Sequence, residues 1–219
     1  MATTRTYGDA CGIARALDVV GSRWALLVIR ELLLGPLRFS DVQRALPGAS
    51  TNTLADRLRE LGDNGVVTRH RLPPPAGATV YELTDWGREL EPLLVDLGAW
   101  GLRVPKADAA TISATSVLLF LRGSASPDQK TPKVVLRLTL DERVFRVILD
   151  EAGAHVAAGD SDAYDASLEC DPATLNDLLC GDLDLDTARV DGRVTIDHPS
   201  SVQLLIDAIP TQQQSEGSS

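Results

Sequence analysis

The chain has 219 residues, 44% of them hydrophobic, and a net charge of −10, enough for a sizeable core in one large domain or two small ones. It has no run of eighteen apolar residues, which excludes a membrane-spanning helix, and MATTRTYGD lacks a charged-then-apolar signal pattern, so a cytoplasmic protein with no membrane partner is expected. Cys11, Cys170 and Cys180 are odd in number and lack CxxC spacing, so neither a disulfide framework nor a zinc knuckle is indicated and reduced thiols are expected; no metal or cofactor is expected.

The charge is unevenly divided. Residues 1–105 hold 12 Arg, no Lys and 12 acids, whereas residues 106–219 hold 9 basic residues against 19 acids. The acidity that argues against a nucleic-acid partner therefore lies wholly in the second half. A composition change near VPKADAATIS divides the chain into a domain over 1–105, a linker over 106–112, a second domain over 113–209 and a polar, low-complexity tail over 210–219, expected to be disordered.

In chain order, Asp9 predicts the cap of a helix through Val20. Ser22 predicts the cap of the apolar helix RWALLVIRELLL, closed by Gly35-Pro36, and Ser40 that of DVQRAL, stopped by Pro47-Gly48. STNTLADRLRELGDNGVV opens with Ser50 as a cap, carries Leu54, Leu58 and Leu61 on one face and ends at Gly62 and Gly65. VVTRHR and ATVYELT are β-rich runs joined by LPPPAG, a hairpin with a proline-stiffened tip. Thr84 then starts a long helix striped by Leu90, Leu93, Leu94, Leu97 and Trp100, in which Pro92 forces a kink or a break.

Helix, helix, short helix, tight turn, helix, hairpin, helix is the order of a winged helix-turn-helix. In that arrangement the second helix of the motif enters the major groove of double-stranded DNA by its N-terminal residues, and the hairpin reaches the adjoining backbone or minor groove. Thr51, Asn52 and Thr53, after Ser50, supply donors and acceptors at the helix start. Arg57 can reach guanine or phosphate, and Arg69, His70 and Arg71 place positive charge on the wing. The bland alternative is a solvated helix face.

CGIARALDVVGSRWALLVIRELLLGPLRFSDVQRALPGASTNTLADRLRELGDNGVV, followed by YELTDWGREL, resembles the HxlR family of bacterial winged-helix regulators over residues 9–103. The shared features are the early Cys11, the G-x-[KR]-W element at Gly21, Arg23 and Trp24, the RFS start at Arg38, Phe39 and Ser40, the L-x-x-RL-x-x-L run from Leu54 to Leu61, and the Y-x-LT-x-x-G wing exit. Gly12 departs from the proline common after the cysteine. The resemblance implies a homodimeric transcription regulator on a palindromic operator, its first and last helices pairing between subunits, with Arg38 and Ser40 at the start of the reading motif. In some relatives the cysteine matching Cys11 senses electrophiles or oxidants. A thiol in the first turn of a helix has its pKa lowered, whereas the plainer reading is a small hydrophobe at the dimer seam.

The second half reads as α+β. ATSVLLFLRG predicts a helix, KVVLRLTLD and ERVFRVILD paired strands, AHVAAGD and AYDASLECD two more, PATLNDLLCG a helix opened by proline, RVTIDH a short strand and PSSVQLLIDAI a closing helix. DLDLDTARVDG lacks the glycine and glutamate positions of a calcium loop and reads as solvated turns. The run from Leu168 to Ala208 resembles the C-terminal half of sterol-carrier-protein-like domains. That resemblance implies a curved sheet and helices around an apolar tunnel for a small hydrophobic effector, with Leu175, Leu178, Leu179, Leu204 and Leu205 candidates by apolar position alone; the plainer reading is a filled core, with each of these leucines packing it.

With His155 and His198 lacking an evident serine or cysteine partner, no catalytic constellation is visible and an enzyme is not expected. The preferred function is a ligand-responsive transcription regulator. The alternatives are a lipid or metabolite carrier whose winged helix binds protein, and a thiol-based repressor acting through Cys11.

Overall fold

The computed structural model describes residues 6–74, 77–105, 110–126, 131–160 and 163–210. Pro75 and Ala76 of the expected wing tip, residues 106–109 of the linker and the tail from residue 211 lie outside the described residues. The chain forms two compact units, Met1–Pro105 and Lys106–Ser219.

Helix α1, Gly12–Val20, starts later than Asp9: Cys11 is its N-cap, and the Asp9 carboxylate accepts the Cys11 N–H at 2.9 Å. Helix α2, Ala25–Leu32, is not capped by the Ser22 hydroxyl. Its cap is Trp24 in left-handed backbone (φ 78), and the Ser22 carbonyl accepts the Ala25 N–H. Helix α3, Phe39–Ala45, begins before Ser40, because the Asp41 carboxylate reaches back to the Arg38 N–H at 3.1 Å and starts the helix there.

Helix α4, Thr51–Asp63, is capped as its sequence predicts, the Ser50 Oγ accepting the Thr53 N–H at 3.2 Å, and it buries Leu54, Leu58 and Leu61. Gly65, at φ +74, turns the chain toward strand β1, Val67–Arg71, which pairs antiparallel with β2, Thr79–Leu83, in a register that sets Arg69 opposite Tyr81. Leu37 extends this ribbon, exchanging two backbone hydrogen bonds with Tyr81.

The single helix expected from Thr84 is two. Helix α5, Asp85–Arg88, is capped by Thr84 Oγ1, and α6, Glu91–Gly101, carries Pro92 in its first turn, where a missing N–H costs nothing. None of the residues of α6 is buried.

In the second unit, α7, Ala114–Ser124, is capped by Ser113. Strands β3, Val134–Leu140, and β4, Arg143–Asp150, form a hairpin whose two-residue turn places Asp141 (φ 48) and Glu142 (φ 67) in left-handed backbone, the geometry that matches strand twist. Strand β5, Gly153–Ala158, continues the meander. Strand β6, Ala166–Cys170, runs parallel to β3 on its other side.

Helix α8, Pro172–Cys180, is capped by Asp171 and closed by left-handed Gly181. The DLDLDTARVDG stretch is not merely turns. It contains α9, Leu185–Val190, whose cap Asp184 accepts the Thr187 N–H at 2.8 Å and whose Leu185 and Ala188 are buried. Strand β7, Thr195–Ile196, and α10, Pro199–Asp207, complete the unit. The sheet order is β5-β4-β3-β6-β7. Alternation puts Leu136, Leu138, Phe145 and Val147 fully inside and leaves Arg137 and Arg146 paired on the opposite face.

Candidate nucleic-acid interface

Helices α3 and α4 are joined by the turn Leu46–Ala49, closed by the Ala49 N–H on the Leu46 carbonyl at 3.0 Å. Leu46 and Ala49 are buried and anchor both ends of the turn. The apolar stripe of α4 points inward, so the sequence itself turns Thr51, Asn52 and Ala55 outward, and all three are exposed.

The residues at the start of α4 have different duties. Ser50 and Thr53 share a hydrogen bond of 2.8 Å in addition to the cap, so their hydroxyls serve the helix start. The Thr51 hydroxyl accepts from Gln43 Nε2 at 2.7 Å, a bond from α3 across the turn. Asn52 is exposed, and its amide has no partner among the described residues. Arg38 and Ser40 are both exposed at the start of α3.

Arg57 does not stand free on the outward face. Only 18% of its side chain is exposed, and its guanidinium donates to Glu60 at 3.0 Å, an i,i+3 pair that lays it along the helix. Arg59, 60% exposed, is paired with Asp56 at 2.6 Å. A face whose arginines are neutralised within α4 presents polar, nearly uncharged groups at its N-terminal turn.

Charge is concentrated on the wing. Arg69 is exposed over the Tyr81 ring, 6.0 Å from its centroid, and the exposed Arg71 donates from Nε to the Gly77 carbonyl at 2.8 Å. His70 lies 3.7 Å from Glu82, which also accepts from Arg88 at 2.7 Å. The wing is fastened to the body by the Thr84 hydroxyl, which donates to the Gly65 carbonyl at 2.8 Å.

Gln43 was missed by sequence reading. A lone amide one helix away gives no periodic signal, and only the tight Pro47-Gly48 turn hinted that α3 and the start of α4 come together. Cys11 is exposed, with no side-chain cap bond.

In the second unit Leu175, Leu178, Leu179 and Leu205 are buried in the core and Leu204 is half-buried. A cleft of about 330 Å³ is lined by polar groups, among them Asp141, Glu142, Glu169 and Arg193. Cys170 borders it, but burial pushes that thiol up to about 12, where it holds its proton. Among the described residues no helix is long and apolar enough to cross a membrane.

The model of the HxlR-like helix-turn-helix family matches residues 19–108. An uncharacterized HTH-type transcriptional regulator of Bacillus subtilis, YvaP, is 40% identical over 39% of this chain and 80% of its own length. One of Synechocystis sp. is 38% identical over 43% of this chain and 70% of its own. The B. subtilis HTH-type transcriptional regulator YodB is 36% identical over 39% of this chain and 76% of its own length. Among solved structures, the redox regulator HypR in its oxidized form is 30% identical, covering 44% of this chain and all of that one, with a TM-score of 0.41. The turn, the outward helix start and the cationic wing thus lie within a segment shared with named regulators, and the chain belongs to the HxlR-like helix-turn-helix family of DNA-binding transcriptional regulators.

Proposed function

We propose that the protein is a homodimer that binds a pseudo-palindromic operator, with Thr51 and Asn52 reading base edges and Arg69 and Arg71 contacting the backbone. The observation that carries this reading is the start of α4: a capped helix whose core face is fully buried and whose outward turn offers an unengaged amide, in a unit that also carries a cationic wing. Arg57, tied to Glu60, serves helix stability in this reading.

The dimer is supported by apolar surface that the unit leaves uncovered. Ile13 and Leu17 on α1, and Leu93, Leu97 and Trp100 on α6, are exposed, Trp100 by 65%. Pairing of these helices across a two-fold axis sets the reading helices about 34–36 Å apart, or a multiple of that. Cys11, at the start of α1, is then a residue of this seam. The acidic second unit is the effector module in this reading, a role supported by the resemblance of its sequence from Leu168 to Ala208 to sterol-carrier-like domains.

Selection of random duplexes with the full chain tests the reading, a two-fold-symmetric consensus being expected. Asn52→Ala should weaken the selected duplex by about 1–3 kcal/mol. Arg69→Ala should weaken all duplexes alike and reduce the salt slope by about one. Selection of no duplex, or unchanged affinity in both variants, refutes it.

A further inference from the structure

Gly48 occupies the third position of the Leu46–Ala49 turn. Glycine is demanded there when φ is positive, but Gly48, unlike Gly35, Gly65 and Gly77, lies outside the left-handed region. Its missing side chain has another cause. A Cβ at Gly48 would stand 3.0 Å from Cη2 of Trp24, tight enough that the ring must give by a few tenths of an ångström, and in ordinary contact with Cζ2 at 3.6 Å.

Trp24 itself is held in left-handed backbone, a conformation that strains a bulky residue and persists only where its neighbours enforce it. The enforcing bonds run from the Ala25 N–H to the Ser22 carbonyl and from the Val28 N–H to the Trp24 carbonyl, 3.0 and 2.9 Å. Arg23 lies 5.5 Å from the centroid of the Trp24 ring. The cap of α2 thus directs an indole onto the turn from which α4 departs.

We propose that Trp24 is a positioning residue for DNA reading: its ring, seated in the notch left by Gly48, fixes the turn between α3 and α4 and with it the pose of Thr51 and Asn52. The proposal rests on the reading role given to α4 above. Thr51 is held from a second side by Gln43, so the first turn of α4 is located from both α2 and α3. Neither Trp24 nor Gly48 needs to touch DNA for this.

The test uses the full chain and the duplex it selects from a random library. Gly48→Val fills the notch and displaces the ring; the expected result is a roughly tenfold loss on the selected duplex, the size of one base contact, with unchanged affinity for an unrelated duplex. Trp24→Phe in the Gly48→Val background withdraws the outer ring and should restore most of the loss. Gly48→Ala, with its smaller intrusion, gives the same pattern in weaker form if the valine variant does not fold. Parent-like affinity in both Gly48 variants overturns the proposal, and so does a loss that follows thermal stability and is not relieved by Trp24→Phe. A parent chain that selects no duplex defeats the DNA reading itself, which the selection shows before any variant is made.

Discussion

At the scale of single residues, hydrogen bonding separates the groups that build α4 from those left over to meet a ligand. Ser50 and Thr53 consume one another, Arg57 is spent on Glu60, and Gln43 orients Thr51. Gln43→Ala releases the Thr51 hydroxyl without removing it. The expected outcome is a loss of about 0.5–1.5 kcal/mol in affinity for the selected duplex, the net worth of one hydrogen bond, with thermal stability within about 0.5 kcal/mol of the parent as for other surface changes. A titration of the two proteins with that duplex checks it, and equal affinities would show that Thr51 needs no support from α3.

At the scale of elements, periodicity made the helices and strands of the first unit legible because most of them turn one apolar face to the core; α6 buries none of its apolar residues. The caps were less so. Ser22 and Ser40 have the right chemistry, but a carboxylate three residues beyond Arg38 and a left-handed tryptophan moved both helix starts. Helix α9 was hidden by the aspartates that flank it, although Asp184 and Thr187 form a cap of the same kind as Asp171 and Thr174. Of the site, the outward face and the wing could be read from sequence, whereas Gln43 and the Trp24–Gly48 contact depend on how α2 and α3 approach the turn. A close approach also governs Gly87, where a Cβ would lie 2.3 Å from the Val66 carbonyl oxygen. Gly87→Ala should destabilise the unit by about 1–3 kcal/mol through overpacking. Gly62→Ala, whose methyl group meets only the Val67 oxygen at 3.7 Å, should stabilise it by about 0.5–1 kcal/mol through helix propensity. Thermal melts of both variants check the pair.

At the scale of the whole molecule, charge is segregated: the first 105 residues balance and the remainder carries the full excess of acid. Part of that acid is structural. Asp197 accepts the Ser167 N–H at 2.6 Å and its hydroxyl at 2.8 Å, which ties the end of β7 to β6 and holds the carboxyl down at about 2 against an ordinary 3.8. A carboxyl lowered on folding stabilises the native state above its unfolded value and loses that contribution as the pH falls from about 4 toward 2. Asp197→Asn should therefore lower the melting temperature at neutral pH and flatten its decline in acid. A melting series over that range, in which the two proteins differed by a constant amount, would remove Asp197 from the acid response.

Helix α6 buries none of its 11 residues within its own unit, and isolated helices shorter than about 12–15 residues are marginal in water. In the dimer proposed above, pairing would give α6 the partner surface that its own unit leaves uncovered, so that helix content and pairing should fall together on dilution. For such a dimer the concentration of the chain would become a control variable in its own right, because scarcity would dissolve the element proposed to space the reading heads.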